Sequence, residues 1–477
     1  MKGKIKMKKQ LFPIFIWMFT ISFVYNCKVY SQGFEIKKVS DNVSIVSNPI
    51  LGSSQVVVQS DKGLVVFDSF MSEITAKKFK NEISSAIGRD DFSFVINIAD
   101  RLDMIGGNAA YKKAVIVGHD NILKKFHSEK IVEEEINKTI EMWKEKVEYS
   151  VNRLKNYEAG SDKARKEEIW MNKCKTMVNE LEQGFSLVLP DISYNDKIML
   201  NLGNIKINLF WFGNAGNYQG LTLAVIPENK LAIISKEIFY PKAHMAPYPF
   251  PYYGLLDVPR WITILEQVIE GDNSVNTIIL SDSYEVYSRE QIKSHLRYIK
   301  ELWNSVKALE AKGMSLQEIQ DQLSLENNFA YAKEWDVYKN NGDNWIRIQH
   351  EMHIRLFFLQ GKNISSEILK NGGPEFLQSS LSKIKKLGND VYFDEISMDF
   401  LAYQWMSNGN TSEAIELYKL NVETFPKSSQ AYASLGAGYM KIGDNENAIK
   451  NFKKSLELNP GNDNAKKMLE ELMKKPS

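Results

Sequence analysis

The C-terminal part of the chain repeats at an interval of 34 residues, and that interval leaves little choice of fold. Leu401, Trp405, Ala414, Tyr418 and Pro426 recur as Leu435, Tyr439, Ala448, Phe452 and Pro460, and Ala402 is matched by Gly436. The order is what two packed helices need. Small residues fall where the axes approach, aromatic residues fill the space between them, and a proline ends the second helix because its ring cannot continue the turn. Each such unit buries its apolar face only against its neighbours, so the sequence predicts stacked helical hairpins. Residues 386–477 are assigned to two hairpins and a closing partial helix, NAKKMLEELM.

The period and the order of small, aromatic and proline positions resemble the tetratricopeptide repeat. That resemblance implies a concave face that binds a protein or a peptide.

At 477 residues the chain exceeds one ordinary core, and 44% apolar with 25% charged residues is a globular composition. The N-terminus departs from it. MKGKIKMKKQ is rich in lysine, LFPIFIWMFTISFVY is apolar, and Val29-Tyr30-Ser31 offers a cleavage position before Gln32. This is the layout of a secretory signal over residues 1–31, with a retained membrane anchor as the alternative. The expectation is therefore an exported protein, periplasmic or secreted, without a membrane span after cleavage. Those residues hold six lysines and no acids, so the formal charge of +1 becomes −5 without them. A mildly acidic chain has no electrostatic case for nucleic acid. Loss of Cys27 leaves Cys174 alone, so the remainder is held by packing and not by a disulfide.

Between these ends the pattern changes from period 2 to period 3.6 and back. SQVVVQ and GLVVFDS flank the turn Ser60-Asp61-Lys62-Gly63 and read as a hairpin; EITAKKFKNEISSAI reads as a helix; FSFVINI and AVIVGH read as strands. Residues 122–183 are long, charged and helical in period, as an inserted helical pair would be. KIMLNLGNIKINLFWF, LTLAVI, LAIISK and NTIILSD return to strands, and a long helix from Arg289 closes an α/β domain over residues 32–311. Residues 312–385 read as a helical linker with a break at Asn-Gly-Gly-Pro, 371–374.

Within this domain Asp-Met-Ile-Gly-Gly-Asn at 103–108, VIVGHDN at 115–121, Gly220 to Pro227, LAIISKEIF at 231–239 and IILSDS at 278–283 fall in the order of landmarks of the metallo-β-lactamase fold. The resemblance spans residues 32–311 and implies an αββα sandwich. The inserted helices and the segment APYPFPYYG are most similar to a periplasmic-type hydrolase subgroup of that superfamily. Such proteins hold two zinc ions with a loop His-x-His-x-Asp-His, a later His, a bridging Asp and a final His. These donors suit zinc and leave it an acidified water.

Carried over residue by residue, the resemblance sets Ala99, Arg101, Asp103 and Met104 in the first loop, Asn217 at the later His, Lys236 at the bridging Asp and Asp282 at the final His. Only Asp103 keeps the family identity. Alanine has no donor atom, and a unit charge at 4 Å is worth about 4 kcal/mol even at an effective dielectric near 20, so Arg101 and Lys236 would weigh against a dication. The expectation is no zinc cofactor, with the seven positions forming a former metal pocket. In it Arg101 and Lys236 either pair with Asp103 and Asp282 or turn outward from a collapsed cavity.

Other candidates are weaker. His350 and His353 stand at i and i+3 on a stretch that reads as a helix, without a third ligand, and read as a polar helix face. His119 follows a strand and reads as structural. Asp100 and Glu237 lie beside the pocket as possible general bases. The reading is an exported pseudoenzyme that binds or scaffolds. The alternatives are a divergent hydrolase, with one weakly held metal on Asp103 and Asp282 or an anion clamp of Arg101 and Lys236, and a receptor for a small anionic ligand.

Overall fold

The computed structural model describes residues 27–29, 33–49, 52–215, 218–235, 257–271, 275–281, 285–329, 331, 343–360, 365, 368, 373–384, 393–407 and 409–474. Asn217, Lys236, Glu237, Asp282 and the aromatic–proline stretch 243–254 lie outside those residues.

Two sheets face each other. The first has eight strands in sequence order: β1 (Cys27–Val29), β2 (Glu35–Lys38), β3 (Val43–Asn48), β4 (Ser53–Ser60), β5 (Gly63–Phe67), β6 (Phe92–Ile96), β7 (Val115–His119) and β8 (Ile192–Tyr194). It runs antiparallel to β5 and parallel from there, because helical connections replace hairpins. The second has six: β9 (Lys197–Asn201), β10 (Lys206–Ala215), β11 (Tyr218–Ile226), β12 (Leu231–Ile234), β13 (Thr277–Leu280) and β14 (Val286–Ser288), with β12 and β13 parallel. Cys27 to Val29, inside the predicted leader, pair with Glu35 to Lys37 at the edge of the described sheet.

The helices follow in chain order: α1 (Glu73–Ile87), α2 (Leu102–Ile105), α3 (Asp120–Lys125), α4 (Glu129–Leu154), α5 (Asp162–Glu182), α6 (Val258–Glu270), α7 (Arg289–Glu310), α8 (Leu316–Gln322), α9 (Leu325–Asn328), α10 (Asp343–Leu359), α11 (Pro374–Ile384), α12 (Glu395–Ser407), α13 (Thr411–Thr424), α14 (Ser429–Lys441), α15 (Asn445–Leu458) and α16 (Asp463–Lys474). None of the described helices is long and apolar enough to cross a membrane.

Strand alternation builds the layers. Val56, Val58, Val65, Phe67, Ile96 and Ile98 meet Ile207, Leu209, Ala224, Ile226, Leu231 and Ile233 in the core between the sheets. Their neighbours Val57, Leu64, Val66 and Val95 point the other way, onto Phe79 and Ile83 of α1. In the second sheet Leu223, Val225, Ala232, Ile234 and Leu280 pack outward onto Trp261 and Leu265 of α6 and Ile299 and Leu302 of α7. The result is the four-layer αββα order that the resemblance implies.

The outer core does not stop at residue 311. Leu316, Ile319, Leu325, Phe357 and Leu359 join the same cluster, so α8, α9 and α10 extend the sandwich. Ile368 and Leu377 belong instead with Leu401, Trp405, Ala414 and Tyr418 of the first hairpin, α12 and α13. The region expected to be a linker is thus divided between the two cores. Phe452, Ala448 and Ala433 of the second hairpin, α14 and α15, close on Ala465 and Leu472 of the capping helix α16.

The inserted pair α4 and α5 is capped by Ser128 and Ser161 and seated by Trp143, Cys174, Met177 and Leu181 against Met71. The buried Glu180 carboxylate accepts hydrogen bonds from the hydroxyls of Ser72 and Thr75 and from Lys78 Nζ, which fixes α5 to the start of α1. That junction places the hairpin beside the loop after β6.

Candidate functional site

The loop between β6 and the short helical turn at Asn108 is held by a second loop, residues 68–71. Asp68 and Phe70 adopt positive φ angles of 58° and 67° there, a conformation that is costly for a bulky side chain and persists only where its surroundings impose it. What imposes it is close backbone contact. Ser69 N donates to Met104 O at 2.6 Å, Gly107 N to Phe70 O at 3.1 Å, and Asp68 Oδ1 accepts from Ile98 N at 2.9 Å. A Cβ on Gly106 would stand 2.2 Å from Met71 O, and one on Gly107 1.9 Å from Ser69 O. Only glycine permits this approach.

Asn108 completes the frame. Its side chain is fully buried, and its Oδ1 accepts from Ser69 Oγ at 2.7 Å and from Asn97 Nδ2 at 3.1 Å. Its Nδ2 donates to Asn97 Oδ1 at 3.0 Å and to Val188 O at 2.8 Å. The Gly-Gly-Asn signature at the end of the loop therefore has a structural cause that needs no metal.

The chemistry-bearing positions are arranged differently. Ala99 and Met104 are buried in the outer core beside Phe212, Leu221 and Trp261, which puts them inside packing and not on a ligand surface. Arg101 points at Asp103: its Nε donates to Oδ1 at 2.8 Å, and its Nη2 bonds Oδ2, a bidentate pair with Arg101 13% and Asp103 34% exposed. Of the four described positions in the zinc frame, Asp103 alone has an oxygen donor, and a guanidinium already holds both of its oxygens. These four residues do not by themselves fit a zinc ion. Among the described residues no three His, Cys, Asp or Glu side chains gather in a way that could hold a metal.

Asp100 is also engaged. It is 2% exposed, accepts from Gly220 N at 3.0 Å and Gln219 N at 3.3 Å, and lies beside Lys125, whose Nζ donates to the Asp100 carbonyl at 2.7 Å. The expectation of a general base there is corrected: the carboxylate ties β11 to the loop and faces no open space. His119 caps α3 by accepting from Asn121 N through Nδ1, contacts Asn195 O through Nε2 at 2.6 Å, and stacks on Trp211. Burial holds its pKa below the ordinary histidine value.

A cavity of about 410 Å³ opens between this loop and the inserted hairpin. Arg101, Leu102 and Asp103 form one wall with Met71 and Lys125; Glu135, Thr139, Met142, Trp143, Lys146, Trp170 and Lys173 form the other. Sequence reasoning put Arg101 and Asp103 in a pocket but missed the opposite wall, because nothing in the residue spacing says which face of a helical insertion folds back on the loop.

His350 and His353 overturn the reading of a polar helix face. They are 1% and 0% exposed and pack around Tyr298 of α7. His350 Nε2 lies 2.9 Å from Leu323 O and its Nδ1 2.9 Å from Tyr298 Oη. A carbonyl can only accept, so the network assigns the proton to Nε2 and makes Nδ1 the acceptor of the tyrosine O–H. Burial pushes the His350 pKa down to about 4. The i, i+3 spacing hid this because both residues share the face that α10 turns to α7.

The tetratricopeptide repeat model matches residues 429–462, the span of α14, α15 and the turn that follows. Among solved structures the chain is similar to the stereoselective inverting sec-alkylsulfatase from Pseudomonas sp., at 12% identity and a TM-score of 0.46, over 93% of this chain and 66% of that one. It is also similar to metallo-beta-lactamases from Pontibacter korlensis, at 8% identity and 0.33 over 58% of this chain and 99% of that one, and from Erythrobacter litoralis, at 11% and 0.34 over 58% and 100%. The chain spans just under two thirds of the alkylsulfatase's length. No curated relative matches the sequence.

Proposed function

We propose that this chain is an exported binding or scaffolding protein: a metallo-β-lactamase-type sandwich whose first zinc loop has been rebuilt around a protein ion pair, joined to repeats that recruit a protein or peptide. The observation that carries the reading is the bidentate Arg101–Asp103 pair, with Ala99 and Met104 withdrawn into the core. An internal cation now satisfies the Asp103 carboxylate that would otherwise face a metal, and charge-assisted bonds of this geometry hold a loop without any added ion. The tetratricopeptide match supports the recruiting role of the C-terminal part.

The test is metal analysis of the purified full-length protein together with assays on lactam, lactone, thioester, phosphoester and sulfate ester substrates. The expected result is substoichiometric zinc and no turnover. Stoichiometric zinc with turnover abolished by a chelator would establish the divergent hydrolase instead.

A further inference from the structure

The cavity between the loop and the inserted hairpin has a composition that neither the loop nor the repeats explain. Four cations, Arg101, Lys125, Lys146 and Lys173, share its walls with two acids, Asp103 and Glu135. Three of the cations have protein oxygens to hold. Arg101 bonds Asp103, Lys125 Nζ donates to Asp100 O at 2.7 Å, and Lys173 Nζ donates to Gly52 O at 2.7 Å.

Lys146 differs: its Nζ lies 4.1 Å from the ring centre of Trp143 and 5.8 Å from that of Trp170, and it has no hydrogen bond or ion pair with any described residue. Ring faces attract an ammonium only weakly compared with a carboxylate. The indole N–H of Trp143, a residue 93% buried, also has no hydrogen-bond partner among the described residues. A donor left unpaired inside a protein is costly. Trp170 and Met142 are exposed and Met71 and Leu102 buried, so apolar surface continues from the mouth of the cavity inward.

We infer that this cavity is a binding site for a small aromatic carboxylate, its anionic group held by Lys146 with the surplus positive charge of Arg101, Lys125 and Lys173 around it, and its ring against Trp143 and Trp170. The inference goes beyond the proposed function, since it assigns a ligand class and places it on the inserted hairpin, and it does not depend on whether the protein holds zinc. Burial pulls the Lys146 pKa below the ordinary lysine value; a bound carboxylate would supply the counter-charge that burial makes desirable.

The experiment is titration calorimetry on the full chain with three probes of one shape: benzoate, benzyl alcohol and benzylamine. Benzoate is expected to bind saturably at one site, with added salt weakening it and the other two binding at least about tenfold more weakly, the share of one charge-assisted bond. Lys146→Met keeps the aliphatic stem over the indoles and should lower benzoate affinity by about tenfold or more without moving the thermal unfolding midpoint. Trp170→Ala, at an exposed position, should weaken all three probes together. Absence of saturable benzoate binding, equal binding of benzoate and benzylamine, or unchanged affinity in Lys146→Met would each overturn the assignment. Failure here leaves the zinc measurement untouched, so the two readings fall separately.

Discussion

Two stretches of this chain each carry half of the lettering of a metal site. Residues 97–108 have the frame, a polar loop after an apolar strand closed by Gly-Gly-Asn, with no imidazole; residues 350–353 have two imidazoles with no frame. Among the described residues each half has another partner. The frame serves a loop-to-loop junction built on Gly106, Gly107 and Asn108, and the imidazoles serve a helix-to-helix contact built on Tyr298. A motif is therefore read correctly only through what its atoms are bonded to. The two regions also differ in kind: the first depends on backbone approach, the second on the protonation of one ring.

The largest effect should come from breaking the first region. In Gly107→Ala the new methyl would sit 1.9 Å from Ser69 O and 2.7 Å from Ala76 Cβ, contacts that side-chain motion cannot relieve because the nearest atom is backbone. We expect a loss of about 3–5 kcal/mol, at the severe end for a single substitution, seen as a lowered midpoint in denaturant unfolding with an unchanged slope. A near-neutral result would mean that the 68–71 loop can retreat, and the junction would not be the reason for the glycines.

The second region should respond to pH. His350 is neutral in the fold with its pKa near 4, against an ordinary value of 6.5, so the unfolded chain takes up the proton first. A depressed folded pKa gives stability that is complete above the unfolded value and is lost as pH falls toward the folded one. Each unit is worth 1.36 kcal/mol, so the full contribution is on the order of 3 kcal/mol, with about 2 kcal/mol of it lost between pH 7 and pH 5. Unfolding curves at those two values, compared with His350→Gln, test this. If the variant keeps the parent's pH dependence across that range, His350 is not the responsible group.

Much of this architecture was legible beforehand, for physical reasons that differ by element. The helix Glu73–Ile87 and the hairpin across Ser60 to Gly63 could be read because a strong local signal, an amphipathic period or a turn, decides them. The repeats could be read because Leu401, Trp405, Ala414 and Tyr418 recur in a pattern that only stacking satisfies. The site was legible in part. That Arg101 and Asp103 stand where zinc ligands are expected follows from register, but that they grip each other, and that Trp143, Lys146 and Trp170 face them, depends on contacts between distant segments. His350 and His353 misled for the same reason, since their hydrophilic letters say nothing about a tyrosine some fifty positions earlier, Tyr298, whose Oη lies 2.9 Å from His350 Nδ1.

The smallest effect sharpens the comparison most. Arg101→Met keeps the length of the side chain but takes the guanidinium from both oxygens of Asp103, a carboxylate about one-third exposed and so within reach of water. Partly exposed pairs are worth about 1 kcal/mol or less, and the unfolding midpoint should barely move. The affinity for divalent cations is the informative readout. Removing a positive charge about 4 Å from a carboxylate removes a repulsion of about 8 kcal/mol against a dication at an effective dielectric near 20, yet one carboxylate without imidazoles remains a poor zinc ligand set. The variant should therefore bind zinc no better than weakly in a competition titration, whereas tight binding would mean that the remaining ligands were in place all along and that Arg101 alone had kept the metal out.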